Sequence, residues 1–364
     1  MEVLAVLPLE KRGFVRDRLR ALGLPHRDLP EITLRFLSTP PGDKHAFLGA
    51  GPGAAAIEDE KAVRWMWWKV PPGLRKTLLG FQKEGVLFAL RRGGRCLIAD
   101  EMGTGKTLQA LAVASCFRQE WPLLLVVPAS MRLMWAEEVE RWFPWLLPSD
   151  VHVIQNSTNK LFEEVGGRHN RPSVVIISPK MLLQLKTGLG SWVWDVVVVD
   201  ESHFITTKKV GNEAQQVSVC MRVLKRAKRV VLLSGTPSLA KPFDLYNQVE
   251  ALRPGLLGKK TEYAAHYCKG TKVTVRGDQK AVSCSGSYCA DELHLLLLRA
   301  VMIRRLKQDI MRQLPSKRRT VVRVEPDTAL LNQVLADRKR ERDIMADASP
   351  DDKAYAGDEC LYGG

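Results

Sequence analysis

Eight consecutive residues, Asp100-Glu101-Met102-Gly103-Thr104-Gly105-Lys106-Thr107, follow an apolar run and precede a helix-like stretch. In such a loop, backbone N–H groups and the helix N-terminus point at an anion. Lys106 would neutralise β- and γ-phosphates, and Thr107 could hold Mg²⁺. The strict pattern has glycine where Asp100 stands, so a plain glycine-rich turn is the alternative. We expect Asp100 and residues 103–107 to bind a nucleotide.

A second motif, Asp200-Glu201-Ser202-His203, follows four consecutive valines. The end of a buried parallel strand is where α/β sheets place reactive groups. Asp200 is predicted to hold Mg²⁺ and Glu201 to position and deprotonate the attacking water. An acidic strand end that caps the next helix is the alternative. Together with Lys106, these two acids form the predicted catalytic set.

Two weaker motifs complete the series. Ser234-Gly235-Thr236-Pro237 also follows an apolar run, and we expect Ser234 and Thr236, with His203, to couple nucleotide state to the rest of the protein. Gln82 lies upstream of the phosphate loop, where its amide could read adenine. Each motif by itself is compatible with an ordinary turn.

Short, wholly apolar runs alternate with amphipathic segments between residues 95 and 236. Strands without polar alternation are buried on both faces, which predicts a parallel sheet with helices on either side. The sequence therefore predicts a doubly wound α/β domain. The five runs are Cys96–Ala99, Leu123–Val127, Val174–Ile177, Val196–Val199 and Val230–Leu233.

The chain is predicted to divide into four parts. Residues 1–70 form a small N-terminal accessory module that ends in Trp65, Trp67 and Trp68, expected to pack on the sheet domain, with base stacking as the alternative. Residues 71–257 form the sheet domain. Residues 258–325 form a basic helical insert, irregular to residue 290 and then helical over 291–312. Residues 326–364 form an acidic, disordered tail.

The net charge of +15 makes a polyanion the natural partner. The insert carries 15 Lys and Arg against 6 Asp and Glu, whereas the tail carries 5 against 9. No apolar stretch reaches the length of a membrane span, and no signal peptide is evident. Seven cysteines without CxxC pairs fit a reducing compartment. A zinc site could be drawn from Cys284, Cys289, His266, Cys268 and His294, but their spacing matches no compact pattern.

The order of the motifs resembles the first RecA-like lobe of superfamily-two helicase-like ATPases. "DEMGTGKT", with Thr104 in place of leucine, and "AVMIRRLKQDIMRQLPSKRR" resemble the Swi/Snf-type branch. "GRCLIAD", "DESHF", "AKRVVLLSGTP" and "YCKG" resemble the SMARCAL-type, HARP-related annealing helicases within it. The resemblance covers residues 71–325 and implies a RecA-like P-loop fold, ATP and Mg²⁺ as cofactors, and a nuclear DNA translocase of fork repair or remodelling.

The resemblance also implies DNA contacts. Pro128-Ala129-Ser130, followed by Trp135 and Trp142, is similar to a strip that touches the DNA backbone. The predicted phosphate contacts are Ser130, Arg304, Arg305, Lys307, Lys317, Arg318 and Arg319, on duplex or forked DNA, although some of these arginines could instead brace the lobe.

Such motors use a second lobe with transition-state arginines. Residues 326–364 contain no such segment, so we expect doubtful turnover by this chain alone and a partner chain that supplies the second lobe. An RNA helicase and a nucleic-acid-binding module without turnover are the alternative functions.

Overall fold

The computed structural model describes residues 17–18, 20–22, 59–156, 164–165, 168–169, 172–184, 193–206, 211–237, 241–268, 270–275, 279–284, 286–313, 333, 336–338 and 340. A seven-stranded sheet forms the centre of the fold, and every neighbouring pair of its strands is parallel. Its strands are β1 Arg95–Ile98, β2 Leu123–Val126, β3 Val151–Val153, β6 Val174–Ile177, β7 Val196–Val199, β8 Arg229–Leu233 and β11 Met302–Ile303. Across the sheet their order is β11-β1-β8-β7-β2-β6-β3.

Alternate residues of each inner strand enter different hydrophobic cores. In β7, Val196 and Val198 belong to one core, whereas Val197 and Val199 belong to the other, and all four are fully buried. Strands covered on both faces are apolar along their centres, and the buried Arg95, the first residue of β1, donates to main-chain carbonyl oxygens. This packing confirms the predicted parallel sheet flanked by helices.

One layer of helices, α1 to α5, contributes to the core that contains Val196 and Val198, which is called the first core below. These helices are α1 Glu60–Trp68, α2 Pro72–Thr77, α3 Gly80–Arg91, α4 Lys106–Cys116 and α5 Arg132–Trp142. A second layer contributes to the opposite core and contains α6 Pro179–Gln184, α7 Gly211–Arg226, α8 Leu245–Leu252, α9 Lys260–Tyr267 and α10 Ala290–Ala300. The short helix α11, Lys307–Ile310, follows β11. None of the helices in the described ranges is both long and apolar enough to cross a membrane.

Helix α1 packs on the sheet domain through Val63 and Met66, which join the first core. Trp67 packs partly against the same core, as predicted. The packing prediction is wrong for Trp65 and Trp68, which are 64% and 67% exposed. Trp65 and Trp68 are three positions apart and so share one face of α1, and this face is opposite the one that packs on the core. The rest of the predicted module, apart from residues 17–18 and 20–22, lies outside the described residues.

The region after residue 257 differs from the predicted helical insert. It contains an antiparallel hairpin, β9 Gly270–Val275 and β10 Gln279–Cys284, where an irregular segment was expected. The predicted helix over 291–312 ends at Ala300, and β11 then pairs with β1 at the edge of the sheet. A helix prediction from the spacing of apolar residues cannot detect this pairing, because the partner strand of residues 302 and 303 is distant in the sequence. A two-stranded pair, β4 Glu164–Val165 and β5 Arg168–His169, completes the strands described.

Candidate nucleotide-binding site

The predicted motifs converge at the carboxyl edge of the sheet. The phosphate loop follows β1, Ser234 follows β8 and Asp200 follows β7, and these three strands are adjacent in the order β1-β8-β7. The residues therefore meet although up to 134 positions separate them in the chain. The carboxyl edge of an open α/β sheet is where such folds bind ligands.

The phosphate loop turns into α4 through two glycines with left-handed backbone. Gly103 and Gly105 have φ of 75° and 76°, a conformation that residues with a side chain rarely adopt. A Cβ at position 105 would lie 2.3 Å from Nε2 of Gln82, so a larger residue would also collide. Lys106 begins α4, an 11-residue helix, and its N-terminal N–H groups face the loop.

The ammonium group of Lys106 lies within the loop. Its Nζ donates to the carbonyl oxygens of Asp100 at 3.0 Å and Glu101 at 3.2 Å. Burial lowers the pKa of Lys106, and the nearby carboxylates of Glu201 and Asp200 oppose that shift. The lysine therefore faces both acids of the second motif, as the prediction of a shared site requires.

Gln82 and Thr104 hold the loop to α3. Gln82 is buried, its Nε2 donates to the carbonyl oxygen of Thr104 at 2.9 Å, and its Oε1 accepts from the N–H of Leu79 at 2.9 Å. The hydroxyl of Thr104 donates to the carbonyl oxygen of Glu101 at 2.8 Å. Gln82 thus contacts the loop directly, and its reading of adenine stays a prediction.

Asp100 has a role that the motif did not predict. Its side chain is fully buried and faces Arg305, whose Nη2 lies 2.6 Å from Oδ2 and whose Nε lies 3.0 Å from Oδ1. Gln109 donates to the same carboxylate at 3.0 Å. The aspartate that replaces the motif's first glycine therefore fastens the loop to the segment after β11, and its side chain is committed to Arg305 and Gln109.

The contacts of Arg305 favour the bracing alternative over the predicted DNA contact. Its side chain is 13% exposed, and besides the bonds to Asp100 it donates to the carbonyl oxygen of Phe81. A guanidinium buried against a carboxylate is not available to a phosphate. Arg304 is partly buried as well and donates to the carbonyl oxygens of Ala99 at 3.2 Å and Gly235 at 3.3 Å. The side chains of both arginines therefore make contacts within the sheet domain.

The other predicted DNA contacts differ in position. Ser130 is exposed in the 3₁₀ turn Ala129–Met131 that follows β2. Lys307 is exposed beside the phosphate loop, where its N–H donates to a carboxylate oxygen of Glu101 at 2.8 Å. Lys317, Arg318 and Arg319 lie outside the described residues.

Trp135 orients the carboxylate of Asp200. The indole Nε1 donates to Oδ2 at 3.0 Å, and the N–H of Glu201 donates to Oδ1 at 2.9 Å. Trp135 is completely buried, so its side chain belongs to the core, and the DNA contact of the strip that begins at Pro128 stays a prediction. The two bonds fix the orientation of the carboxylate at the end of β7, as neighbouring hydrogen bonds do for metal ligands.

Glu201 has a left-handed backbone, with φ and ψ both 47°. A non-glycine residue in this region is strained, and such strain concentrates at functional sites. Its Oε2 lies 3.1 Å from Nδ1 of His203. A cavity of about 260 Å³ opens beside Asp200 and Glu201 and is also lined by Pro128, Pro179, His203, Phe204 and Gln216.

Two polar bridges join the acidic motif to the segment after β8. Nδ1 of His203 lies 3.3 Å from Oγ of Ser234, which accepts from the N–H of Thr236 at 3.2 Å. Ser202 donates to Oε1 of Gln248 at 2.9 Å, and Gln248 donates to the carbonyl oxygen of Pro237 at 2.7 Å. The predicted coupling residues are thus in contact, and their role in coupling stays a prediction. The bridge through Gln248 had no signal in the sequence.

The residues present fit a magnesium nucleotide. The left-handed glycines and the N-terminus of α4 form the anion site, and Lys106 supplies a charge for the phosphates. The hydroxyl of Thr107, in the first turn of α4, and the oriented carboxylate of Asp200 are oxygen donors of the type Mg²⁺ prefers.

Comparison with known proteins identifies a family and similar chains. A family model described as "SNF2-related domain" matches residues 59–337. Human "DNA annealing helicase and endonuclease ZRANB3" is 40% identical over 252 residues, which are 68% of this chain and 22% of the human protein. The Xenopus tropicalis "SWI/SNF-related matrix-associated actin-dependent regulator of chromatin subfamily A-like protein 1" is 38% identical over 277 residues, or 75% of this chain and 27% of that protein.

The chain therefore spans about a quarter of the length of these curated relatives. A solved structure, "Sulfolobus solfataricus SWI2/SNF2 ATPase core in complex with dsDNA", has a TM-score of 0.49 and 27% sequence identity. The match covers 66% of this chain and 47% of that one.

Proposed function

The chain belongs to the SNF2-related family, and we propose that it is the ATP-binding lobe of a DNA-dependent ATPase and translocase of the annealing-helicase type. The observation that carries the proposal is the convergence of Lys106, Asp200, Glu201 and the His203–Ser234 contact at one edge of the sheet. Relatives named as a DNA annealing helicase and as a regulator of chromatin support action on DNA. Fork repair or remodelling as the process, and a nuclear location, belong to the proposal.

Each residue has a part in the proposed reaction. Lys106 binds the β- and γ-phosphates, and Thr107 and Asp200 hold Mg²⁺, which when bound supplies charge neutralisation on the phosphates. Glu201 positions a water and accepts its proton. His203 contacts both Glu201 and Ser234, so a change at the carboxylate reaches the segment after β8 through one imidazole.

DNA is proposed to bind through its phosphates. Ser130 and Lys307 are the exposed candidates among the described residues, and Lys317, Arg318 and Arg319 are the candidates beyond them. Phosphate contacts release counterions, so the affinity should fall with salt at a log–log slope of about −0.9 per phosphate on duplex DNA. Little sequence preference is expected, because phosphate contacts carry no base information.

A paired assay tests the proposal. Binding of labelled duplex DNA, forked DNA, single-stranded DNA and RNA is measured by anisotropy, and ATP hydrolysis is followed with each of them. We expect tighter binding to DNA than to RNA, and slow hydrolysis that Glu201→Gln abolishes while Glu140→Gln, an exposed control on α5, retains it. A preference for RNA would instead indicate an RNA helicase. Nucleic-acid binding with neither ATP binding nor hydrolysis would indicate a non-catalytic module.

A further inference from the structure

Three side chains with metal-binding atoms come together away from the nucleotide site. His266 lies near the end of α9, and Cys289 and Glu292 lie at the start of α10. Their ligand atoms, a histidine nitrogen, a sulphur and a carboxylate oxygen, all lie within 4.8 Å of one another. Nε2 of His266 is 3.5 Å from Oε1 of Glu292.

The backbone holds the two helices in this arrangement. The N–H of Tyr288 donates to the carbonyl oxygen of Tyr267 at 2.9 Å, which fixes the residue before Cys289 to the last residue of α9. Cys289 is the N-cap of α10 and Glu292 is the third residue of its first turn. The ligand atoms of Cys289 and Glu292 both lie within 4.8 Å of that of His266, so both side chains approach α9.

His266 supplies a second, independent observation. The residue is 8% exposed, and its Nε2 is buried without a hydrogen-bond partner. A buried ring nitrogen that lacks a partner is costly, and such groups in native structures call for an unseen ligand or water. This nitrogen is also the one that faces Glu292, so its unsatisfied position points into the cluster.

Tyr267 restricts the geometry of two of the three groups. Its hydroxyl donates to Oε1 of Glu292, and its ring meets the ring of His266 edge to face with centroids 4.5 Å apart. Neighbours that fix the orientation of a carboxylate and an imidazole are typical of metal sites.

We propose that His266, Cys289 and Glu292 form a zinc site that joins α9 to α10, with water in the fourth position. A thiolate and an imidazole select zinc over Mg²⁺ and Ca²⁺, which prefer oxygen alone. Zinc bond lengths of about 2.0 to 2.3 Å place tetrahedral ligands about 3.5 Å apart, so the cluster must contract by about 1 Å. The exposed side chain of Cys289 can make this adjustment.

Zinc binding at this site requires each ligand to be in its deprotonated form. The cysteine thiol loses its proton as the sulphur–zinc bond forms, and that proton goes to the buffer. The histidine binds as the neutral imidazole. The positive end of α10 stabilises the negative sulphur at its N-cap. The site uses two of the five residues that the sequence allows for zinc, His266 and Cys289, and adds Glu292, which the sequence did not indicate.

Titration of the metal-free 364-residue chain with Zn²⁺, followed by calorimetry, tests the proposal. One equivalent is expected to bind with release of one proton, detected by repeating the titration in buffers of different ionisation enthalpy. Co²⁺ should give the visible spectrum of a tetrahedral thiolate complex. Cys289→Ser should remove that spectrum, and both Cys289→Ser and Glu292→Gln should weaken Zn²⁺ binding by at least about tenfold.

His294→Gln is the matched control, because His294 is exposed on the same helix and outside the cluster. Its Zn²⁺ affinity should equal that of the wild type. Thermal unfolding of each metal-free variant confirms that it folds, and Zn²⁺ should raise the unfolding midpoint of the wild type but not of Cys289→Ser. Absence of saturable Zn²⁺ binding, or binding that Cys289→Ser leaves unchanged, would overturn the proposal.

Discussion

Replacing Arg305 with alanine should destabilise the sheet domain, because it leaves the carboxylate of Asp100 buried without its cation. That carboxylate is fully buried and receives Nη2, Nε and the backbone N–H of Arg305 at 2.6, 3.0 and 3.1 Å. The variant keeps the backbone N–H and the bond from Gln109 at 3.0 Å but loses both guanidinium contacts.

The magnitude follows from the burial of both partners. Removing one member of a buried ion pair costs about 3–5 kcal/mol, because the remaining charge has no compensation. This is a large part of the total stability of a domain, which is about 5–15 kcal/mol. For a domain of about 150–250 residues, each kcal/mol lowers the midpoint by about 2–4 °C, so a decrease of about 6–20 °C is expected.

Thermal and urea unfolding followed by circular dichroism measure the effect. Arg312→Ala is the matched control, since Arg312 is exposed in the turn after α11 and its loss should change stability by less than about 0.5 kcal/mol. The double variant Asp100→Ala/Arg305→Ala should cost less than the sum of the two single variants, because no unpaired charge remains. If Arg305→Ala is as stable as Arg312→Ala but binds DNA more weakly with a flatter salt slope, the bracing role is refuted.

Three further outcomes are expected at the nucleotide site. Trp135→Phe should weaken Mg²⁺-dependent ATP binding, because Asp200 loses its indole donor. Trp142→Phe is the control, since the indole of Trp142 donates to Glu138 instead. Equal ATP affinities of the two variants would contradict this expectation. In urea unfolding, Glu201→Gly should be more stable than Glu201→Ala by about 1 kcal/mol in free energy of unfolding, because only glycine adopts a φ of 47° without strain. The reverse order of stability would contradict this expectation. ATP affinity should begin to fall at a lower pH than it would for an exposed lysine, because burial lowers the pKa of Lys106 and the side chain therefore loses its charge at a lower pH. An ATP affinity that does not change as the pH is raised into the alkaline range would contradict this expectation.

The inner strands were predictable, and the edge strands were not. The five apolar runs form the centres of β1, β2, β6, β7 and β8, because strands covered on both faces are apolar along most of their length. Strands β1 and β8 begin one residue before the runs, at Arg95 and Arg229. The edge strand β3 is only partly buried and carries His152 in its centre, so it gives no continuous apolar signal. The other edge strand, β11, has two residues, too few for any periodicity.

The candidate site shows the same division between local and long-range information. The loop, the acidic pair and Ser234 could be found because each combines a local pattern with the end of an apolar run. The partner of Asp100 is 205 positions away, and that of Ser202 is 46 positions away. A basic cluster looks the same in sequence whether it faces solvent or a buried carboxylate, so the sequence leaves both a DNA contact and a bracing role open for Arg305.

ATP binding by the purified chain is the most direct test of the central claim that Lys106 lies in a nucleotide site. Titration calorimetry with Mg·ATP compares the wild type, Lys106→Ala and Lys83→Ala, an exposed control on α3. A charged hydrogen bond is worth about 1.5–3 kcal/mol, so Lys106→Ala should bind about 10- to 150-fold more weakly while Lys83→Ala matches the wild type. Equal affinities for all three proteins would contradict the assignment of the phosphate loop.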